Sequence, residues 1–331
     1  MAGHPRILRR RLLVGLAAAM TGPPMFGQAG RGLRRVGIAF NGSPDAAKPY
    51  LDAFVRGMDE QRYGLNREYA LEMRYALGRN DRYPALMGEL LRANSEVIVV
   101  GPNTGVEAAK AATSTIPIVM AGTTDPEATG LVASLSSPGG NITGLALNSG
   151  SLNGKRLQLL QEIVPGGSRV TYLMDPKAGG AAYGLRAVED AGKTLALQIT
   201  TTQASTVEEL DQVLASMPAR RPDALMVGAA IFLFTHRKRT IDFCTRHRIP
   251  AIYSYREAVI DGGLISYAAS LTETFRNAAS YTARILGGAK PADLPVEQPT
   301  RFELVMNTKT ANALGITIPK SLLARADEVI H

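Results

Sequence analysis

The sequence predicts an α/β protein with two doubly wound, parallel-sheet lobes. Short runs rich in Val and Ile alternate with stretches whose apolar residues recur at helical spacing, which is typical of strand–helix–strand units with right-handed crossovers. The pattern also repeats, because residues 95–101 (SEVIVVG) match residues 222–228 (PDALMVG) and residues 115–119 match residues 248–252. The repeat indicates two similar lobes, one after the other.

The first lobe begins after a basic and apolar N-terminal segment. Its predicted elements are strand 36–40, helix 46–63, strand 68–75, helix 82–93, strand 96–100, helix 104–112 and strand 116–120. The last strand is β-branched and is entered through Pro117, which suits a strand buried in a parallel sheet. It is followed by the small, hydroxyl-bearing and acidic segment 121–126. Because ligands bind at the carboxyl ends of strands in open α/β sheets, this segment predicts one wall of a binding site.

The second lobe repeats the alternation. Its predicted elements are strand 170–174, helix 181–195, strand 197–201, helix 207–217, strand 224–228, helix 232–246 and strand 249–253. The remaining chain is predicted to form strand 264–268, helix 271–286, an extended proline-rich segment 291–299, strand 301–306 and helices 308–314 and 321–330.

The chain is expected to pass between the lobes three times, at residues 142–147, near Ser270 and near Thr300. These crossings predict one lobe from residues 34–146 and 271–298. They predict the other from residues 147–270 and 299–331.

The composition is that of a soluble globular protein and argues against nucleic-acid binding. The chain has 331 residues, of which 45% are hydrophobic and 20% charged, enough for two domains of ordinary size. Its formal net charge is +8, but four arginines before Ala29 contribute half of it. The other Lys and Arg residues are spread along the chain, so the modest excess does not form a basic patch.

The first 29 residues are typical of an export signal. A basic segment, residues 6–11, precedes an apolar stretch, residues 12–20, that is too short to span a bilayer. Small residues at Gly27 and Ala29 predict cleavage after Ala29. The arginines fit both the twin-arginine and the general secretory route. Cys244 is the single cysteine, which leaves no lipid-anchoring residue after the signal, so a free periplasmic protein is expected.

Several stretches closely resemble one known family. They are residues 110–119 (KAATSTIPIV), 138–144 (PGGNITG), 288–296 (GAKPADLPV) and 321–328 (SLLARADE). The chain resembles, nearly end to end, the extracytoplasmic substrate-binding proteins of bacterial ABC transporters, in the group that binds tryptophan and other amino acids. The resemblance implies a type I periplasmic-binding fold with a ligand held between the lobes. Loops 175–180 and 228–232 depart from the family pattern, so the resemblance does not fix the ligand.

Candidate ligand-binding residues in the first lobe follow predicted strands. They are Asn41, Ser43, Asn103, Thr104, Thr123 and Asp125. Ser43 and Thr104 have an alternative role as N-caps of the helices that they precede. Asp125, which stands before Pro126, either pairs with a ligand ammonium group or forms a turn.

Candidates in the second lobe follow the repeated strands. They are Asp175, Phe232, Tyr255, Arg256 and Glu257. Tyr255 offers a flat apolar face with a polar tip, which suits an aromatic or aliphatic ligand. Phe232 has an alternative place in the core, and Arg256 and Glu257 have an alternative as a surface ion pair with each other.

The sequence offers little for catalysis. It has no Gly-x-Ser-x-Gly elbow, no phosphate-binding glycine loop and no complete dinucleotide fingerprint. His236 and His247 lack an obvious carboxylate partner for a metal site or a catalytic triad. We therefore expect no catalytic residue, no metal and no cofactor.

The predicted function is capture of a small organic ligand, an amino acid or related carboxylate, by a monomeric periplasmic protein. The expected partner is an ABC permease with its ATPase, to which the ligand is delivered. The alternative is an exported ligand-sensing protein that presents its ligand to a membrane receptor or kinase. Either protein would close around its ligand by hinge motion at the crossings.

Overall fold

The computed structural model describes Met1, residues 32–147 and residues 150–331. Apart from Met1, the predicted export signal lies outside the described residues, and so do two residues that follow the first predicted crossing. In the part of the chain that is described, no helix is both long enough and apolar enough to cross a membrane.

Strands and helices alternate as predicted. The strands are β1 (Arg34–Phe40), β2 (Tyr69–Tyr75), β3 (Val97–Val100), β4 (Ile118–Thr124), β5 (Ile142–Leu147), β6 (Arg169–Met174), β7 (Gln198–Gln203), β8 (Ala224–Val227), β9 (Ala251–Tyr253), β10 (Ile265–Ala269), β11 (Phe302–Asn307) and β12 (Glu328–Ile330). The helices are α1 (Pro44–Glu60), α2 (Tyr83–Arg92), α3 (Asn103–Ala112), α4 (Asn153–Ile163), α5 (Ala181–Thr194), α6 (Val207–Ser216), α7 (Ile231–Thr235), α8 (Arg237–His247), α9 (Arg256–Ile260), α10 (Leu271–Leu286), α11 (Thr308–Leu314) and α12 (Lys320–Leu323).

Lobe 1 is built on a parallel sheet with the strand order β2-β1-β3-β4-β5. The central strand β3 is buried along its whole length, as its unbroken Val and Ile run requires when helices cover both faces. Phe54 and Met58 of α1 pack on one face with Ala279 of α10, whereas Leu86 of α2 packs on the other. The doubly wound arrangement predicted for this lobe is confirmed.

Lobe 2 is built on a sheet with the order β12-β11-β10-β9-β8-β6-β7. Strands β6 to β10 are parallel, but β11 runs antiparallel to β10. The helix predicted over residues 321–330 is wrong beyond α12, because residues 328–330 form β12 beside β11. Asp327 fixes this pairing, since its N–H donates to the Leu304 carbonyl at 2.9 Å and its carboxylate accepts from the Leu304 N–H at 2.9 Å.

Two further predictions about single elements are wrong, and two helices are missed. Residues 232–246 form two helices instead of one, because His236 leaves the helical conformation between α7 and α8. Helices α4 and α9 lie in segments for which the sequence pattern predicts no helix. Strand β4 does not stop at Met120 but continues to Thr124 through an irregularity at Gly122, which has φ +102°.

The first crossing is not made by residues 142–147, because these residues form β5 in the lobe 1 sheet. The chain changes sheet at the two later predicted crossings, which lie wholly within the described residues. Strand β10 lies in lobe 2, and Ser270 then caps α10, which packs in lobe 1, by accepting from the Glu273 N–H at 3.3 Å. Glu297 pairs with β5 through the Gly144 carbonyl at 3.0 Å, after which the chain returns to lobe 2 as β11. The residue boundaries of the two lobes stay a prediction.

The return of α10 to lobe 1 depends on a close contact with α1. A Cβ atom at the buried Gly57 would lie 2.4 Å from the Arg276 carbonyl oxygen and 2.8 Å from the Ala279 Cβ. The two helix backbones therefore approach where glycine alone fits. Arg276 also forms an exposed ion pair with Glu60 at 3.0 Å, so the side chains beside the contact add little to it.

Replacing Gly57 with Ala should destabilise the protein although Ala is the better helix former. The added methyl group overpacks the α1–α10 contact, and we expect the free energy of unfolding to fall by about 1–3 kcal/mol. Gly88→Ala in α2 is the matched control, since its Cβ would meet nothing closer than the end of the Arg92 side chain at 3.4 Å. That variant should gain about 0.5–1 kcal/mol. Urea unfolding of both variants checks the opposite signs, and equal effects would contradict the packing argument.

Candidate functional site

A cavity of about 560 Å³ lies between the two lobes. Its walls are the carboxyl ends of β1, β3 and β4 in lobe 1 and the loops that follow β6, β8 and β9 in lobe 2. This is where a doubly wound sheet places its ligand, and the volume falls within the range of about 300–1,000 Å³ that is typical of small-molecule sites.

Aromatic rings form the lobe 1 side of the cavity. Phe40 ends β1, and its ring stacks on Tyr50 of α1 with the centroids 5.4 Å apart. Phe275, in the second turn of α10, packs against Tyr50 at 5.6 Å. All three side chains line the cavity. We call Phe40, Tyr50 and Phe275 the aromatic wall.

Aromatic rings also line the lobe 2 side. Phe232 and Phe234 come from α7, and Tyr255 precedes α9. The rings of Phe234 and Tyr255 meet edge to face with their centroids 4.9 Å apart. Burial raises the pKa of Tyr255 to about 12, against the opposing effect of Arg156. Its hydroxyl is therefore neutral at physiological pH and able to donate a hydrogen bond.

Asn103 fixes the backbone at the end of β4. Its side-chain amide donates to the Thr124 carbonyl at 2.7 Å, and its side-chain oxygen accepts from the Thr124 N–H at 3.0 Å. Asn103 is buried at the first turn of α3, so this pair of bonds ties the start of that helix to the neighbouring strand. Thr124 lines the cavity beside it.

Asp175 supplies a carboxylate to the lobe 2 side. Its Oδ1 accepts from the Ser205 hydroxyl at 2.5 Å and from the Lys177 backbone N–H at 2.9 Å. Within the described residues, no group donates a hydrogen bond to Asp175 Oδ2, and the Asp175 carboxylate forms no ion pair. The carboxylate is thus held in place through one oxygen, and the residue lines the cavity.

The two lobes touch at the rim of the cavity. Gly179 packs so closely on Asn103 that a Cβ at Gly179 would lie 2.5 Å from the amide nitrogen. A Cβ at Gly180 would lie 3.0 Å from a methyl group of Thr124. Small residues in the loop after β6 therefore let lobe 2 approach the end of β4.

About half of the predicted ligand-binding residues line the cavity. Those that do are Asn41, Asn103, Thr104, Asp175, Phe232 and Tyr255. Those that the structure places elsewhere are Ser43, Thr123, Asp125, Arg256 and Glu257. Ligand contact by any of these residues stays a prediction, but the second group has other partners.

Two residues of the second group, both in lobe 1, have structural roles. Ser43 is the N-cap of α1, where its hydroxyl accepts from the Ala46 N–H at 3.3 Å. Asp125 forms a turn with φ +49°, and its carbonyl accepts from the Thr129 hydroxyl at 3.0 Å. Thr104 differs from Ser43, because it lies inside α3 and the N-cap there is Pro102. The alternative capping role therefore applies to Ser43 and is wrong for Thr104.

The remaining three also have identified partners. Thr123 is fully buried and donates to the Gly101 carbonyl at 2.9 Å. Arg256 forms its ion pair with Glu328, so the alternative pairing with Glu257 is wrong. Glu257 accepts a hydrogen bond from the Tyr50 hydroxyl across the cleft at 2.5 Å.

Sequence reasoning missed most of the aromatic lining. Tyr50 lies at helical spacing from Phe54 and Met58, so the pattern indicates a core position. Phe275 lies on the apolar face of α10, so its spacing also indicates a core position. Phe40 could have been predicted, because it is the last residue of a predicted strand and the carboxyl ends of strands lie at the ligand site.

The geometry defines a class of protein. Two α/β lobes, joined by crossing segments around a ligand-sized cleft, form the type I periplasmic-binding architecture that the sequence predicts. The family described as ABC transporter substrate binding protein matches residues 35–330, and the chain belongs to this family. Its members are solute-binding proteins and not enzymes, as predicted.

Individual relatives are distant in sequence but similar in fold. The tyrosine-binding protein of Clostridioides difficile (strain R20291) is 22% identical over 263 residues, which cover 80% of this chain and 75% of the relative. A solved domain from Streptococcus pneumoniae in complex with L-Trp has a TM-score of 0.83 at 22% identity, covering 90% of this chain and all of that one. The ligand-free, open structure of a Clostridium difficile substrate-binding protein with adhesive properties has a TM-score of 0.69 at 18% identity, covering 90% of this chain and 99% of that one.

Removing the Asn103 side chain should loosen the cavity wall at Thr124. In Asn103→Ala both bonds to the Thr124 backbone are lost, and we expect faster hydrogen–deuterium exchange in the peptide that contains Thr124. Asn141→Ala is the matched control, because Asn141 also donates to two backbone carbonyls, of Thr113 and Ile116, away from the cavity. Each variant should lose about 1–3 kcal/mol of stability. Unchanged exchange at Thr124 in Asn103→Ala would contradict the stabilising role of the two hydrogen bonds from Asn103.

Proposed function

We propose that the protein captures an amino acid with an aromatic or large apolar side chain in the cavity between its lobes and delivers it to the permease of an ABC transporter. The observation that carries this proposal is the composition of the cavity lining. Aromatic rings stand on both sides, and Asp175 offers an unpaired carboxylate oxygen between them.

The rings suit an apolar side chain. A flat side chain placed between the aromatic wall and Phe234 of lobe 2 would lose most of its contact with water. An aromatic group buries about 150–250 Å² in such a site, and ring pairs add about 0.5–1.5 kcal/mol beyond the area term. The polar groups of such a site set the orientation of the ligand more than its total binding energy.

The charged ends of an amino acid have partners of opposite sign. Asp175 lines the cavity and its Oδ1 is already engaged, so its Oδ2 would accept from the ammonium group. Lys177 lines the same cavity and makes no ion pair within the described residues, so its cation is available to the carboxylate. The first turn of α3, at Asn103 and Thr104, adds helix N–H groups that have no intrahelical acceptor.

The known ligands of the relatives are consistent with this chemistry. The curated relative is a tyrosine-binding protein, and the solved structure with the 0.83 TM-score contains L-Trp. Both ligands combine an aromatic side chain with an ammonium and a carboxylate group. We infer the same class of ligand for this chain from the rings and charges of its own cavity.

Delivery requires that the protein open and close. The crossings near Ser270 and Thr300, with the first one after β5, are the segments about which the lobes would rotate. Ligand contacts from both lobes would favour the closed form, and the permease with its ATPase would receive the ligand from it. Members of this family are typically extracytoplasmic, and the predicted signal at residues 1–29 supports export to the periplasm.

A thermal-shift screen of the mature chain tests the ligand class. L-tyrosine, L-tryptophan and L-phenylalanine should raise the melting temperature, whereas sugars and nucleosides should not. At a ligand concentration of about one hundred times Kd the stabilisation is about 2.7 kcal/mol, which corresponds to a shift of about 5 °C. A shift with sugars alone would contradict the proposal.

Asp175→Asn should weaken amino-acid binding while preserving the fold. The asparagine oxygen still accepts from Ser205, but the charge opposite the ammonium group is gone, so we expect Kd to rise about tenfold to a hundredfold. Isothermal titration calorimetry measures this change. Affinity for 3-phenylpropionate, which has no ammonium group, should not fall.

Asp223→Asn is the matched control for that substitution. Asp223 pairs with Arg169 at 2.7 Å outside the cleft, so its loss should leave the affinity for the amino acid unchanged. Equal binding by Asp175→Asn and the wild type would remove Asp175 from the site.

A further inference from the structure

A side-chain hydrogen bond joins the two lobes across the mouth of the cleft. The Tyr50 hydroxyl in α1 of lobe 1 donates to Glu257 Oε1 in α9 of lobe 2 at 2.5 Å. The two residues are 207 positions apart in the sequence. The bond can form only when the lobes lie close together, so it marks the closed arrangement of the cleft.

The burial of Tyr50 favours its hydroxyl as a hydrogen-bond donor. It is only 5% exposed. Burial, and then the adjacent Glu257 carboxylate, raises the pKa of Tyr50 above its ordinary range. The hydroxyl therefore keeps its proton at physiological pH and donates to a charged acceptor, which is the stronger type of hydrogen bond.

Glu257 has no other partner of comparable strength. Its Oε2 is buried, and no described residue donates to it. The nearby arginines form ion pairs with other carboxylates, Arg237 with Asp261 at 2.9 Å and Arg256 with Glu328, and the Nε of each makes no hydrogen bond within the described residues. Closing the lobes thus removes the Glu257 carboxylate from water and leaves the Tyr50 hydroxyl as its hydrogen-bond donor.

The same tyrosine also belongs to the aromatic wall. Its ring stacks on Phe40 and packs at a tilt against Phe275, and all three rings line the cavity. One side chain therefore reaches the ligand space with its ring and the opposite lobe with its hydroxyl. A ligand that packs against the wall restricts the Tyr50 ring in the position from which the hydroxyl meets Glu257.

We propose that Tyr50 and Glu257 form a latch between the lobes, which couples occupation of the aromatic wall to closure of the cleft and sets the rate of ligand release. The ligand half of this statement rests on the function proposed above. The latch itself needs only that the lobes open and close. Opening breaks the hydrogen bond but also returns the Glu257 carboxylate to water, which offsets part of that loss, so the latch favours closure only modestly.

A double-mutant cycle tests the coupling. Tyr50→Phe keeps the ring and removes only the hydroxyl, and Glu257→Ala removes the acceptor. Each should raise the Kd for the ligand found by the screen about tenfold, which corresponds to about 1.4 kcal/mol, and should speed its dissociation. The double variant should have the same affinity for the ligand as the weaker-binding single variant, because both substitutions break the same hydrogen bond.

Tyr281→Phe is the matched control. Tyr281 is a buried tyrosine whose hydroxyl donates to the Pro295 carbonyl at 2.6 Å within lobe 1. Its loss should leave the affinity and the dissociation rate unchanged. Wild-type affinity in Tyr50→Phe, or effects of the two cleft substitutions that multiply in the double variant, would overturn the latch.

Small-angle X-ray scattering separates the latch from the ligand proposal. In ligand-free protein, Tyr50→Phe should have a larger radius of gyration than the wild type and Tyr281→Phe, because the open form gains population. An identical radius in all three proteins would overturn the latch. If no amino acid binds the wild type, the proposed function fails, and the scattering comparison still decides whether the latch exists.

Discussion

The fold depends on the packing of α10 against α1. Helix α10 begins after β10 has completed its place in lobe 2, yet its apolar face is buried in lobe 1. Gly57 permits this contact by letting the two backbones meet at the Arg276 carbonyl. The chain must therefore cross between the lobes to deliver α10 and cross again to form β11.

The same packing builds the binding site. Because α10 starts at the cleft, Phe275 in its second turn enters the cavity and completes the aromatic wall with Phe40 and Tyr50. The wall thus combines the end of a strand, a helix from the start of lobe 1 and a helix from the far end of the chain. Lobe 2 supplies Asp175 from the opposite side, on a loop held by Ser205.

The sequence predicts the parts of this structure that depend on local pattern. Unbroken Val and Ile runs mark the buried strands, and the repeat marks the second lobe. Parallel strands then bring residues that follow them, such as Asn41 and Asp175, to one edge. The irregularity at Gly122 is not visible in the pattern, and it reverses which of two neighbouring threonines faces the cavity. Thr123 points into the core, whereas Thr124 lines the site.

Other parts depend on tertiary contacts that no local pattern records. Tyr50 has the spacing of a core residue on α1, and its role in the cavity follows only from the position of α10. The partner of Glu257 is likewise set by the approach of two lobes. The helix expected at the C-terminus becomes β12 because Asp327 is fixed to Leu304 of β11. A short segment takes the conformation that its neighbour stabilises.

A crystal structure of the mature chain grown with L-tyrosine or L-tryptophan would show whether the cavity between the lobes is an amino-acid site. We expect ligand density between Phe275 and Phe234, with the ammonium group within hydrogen-bond distance of Asp175 Oδ2. An empty cleft at saturating ligand, or density for the amino acid at another place on the protein, would contradict it.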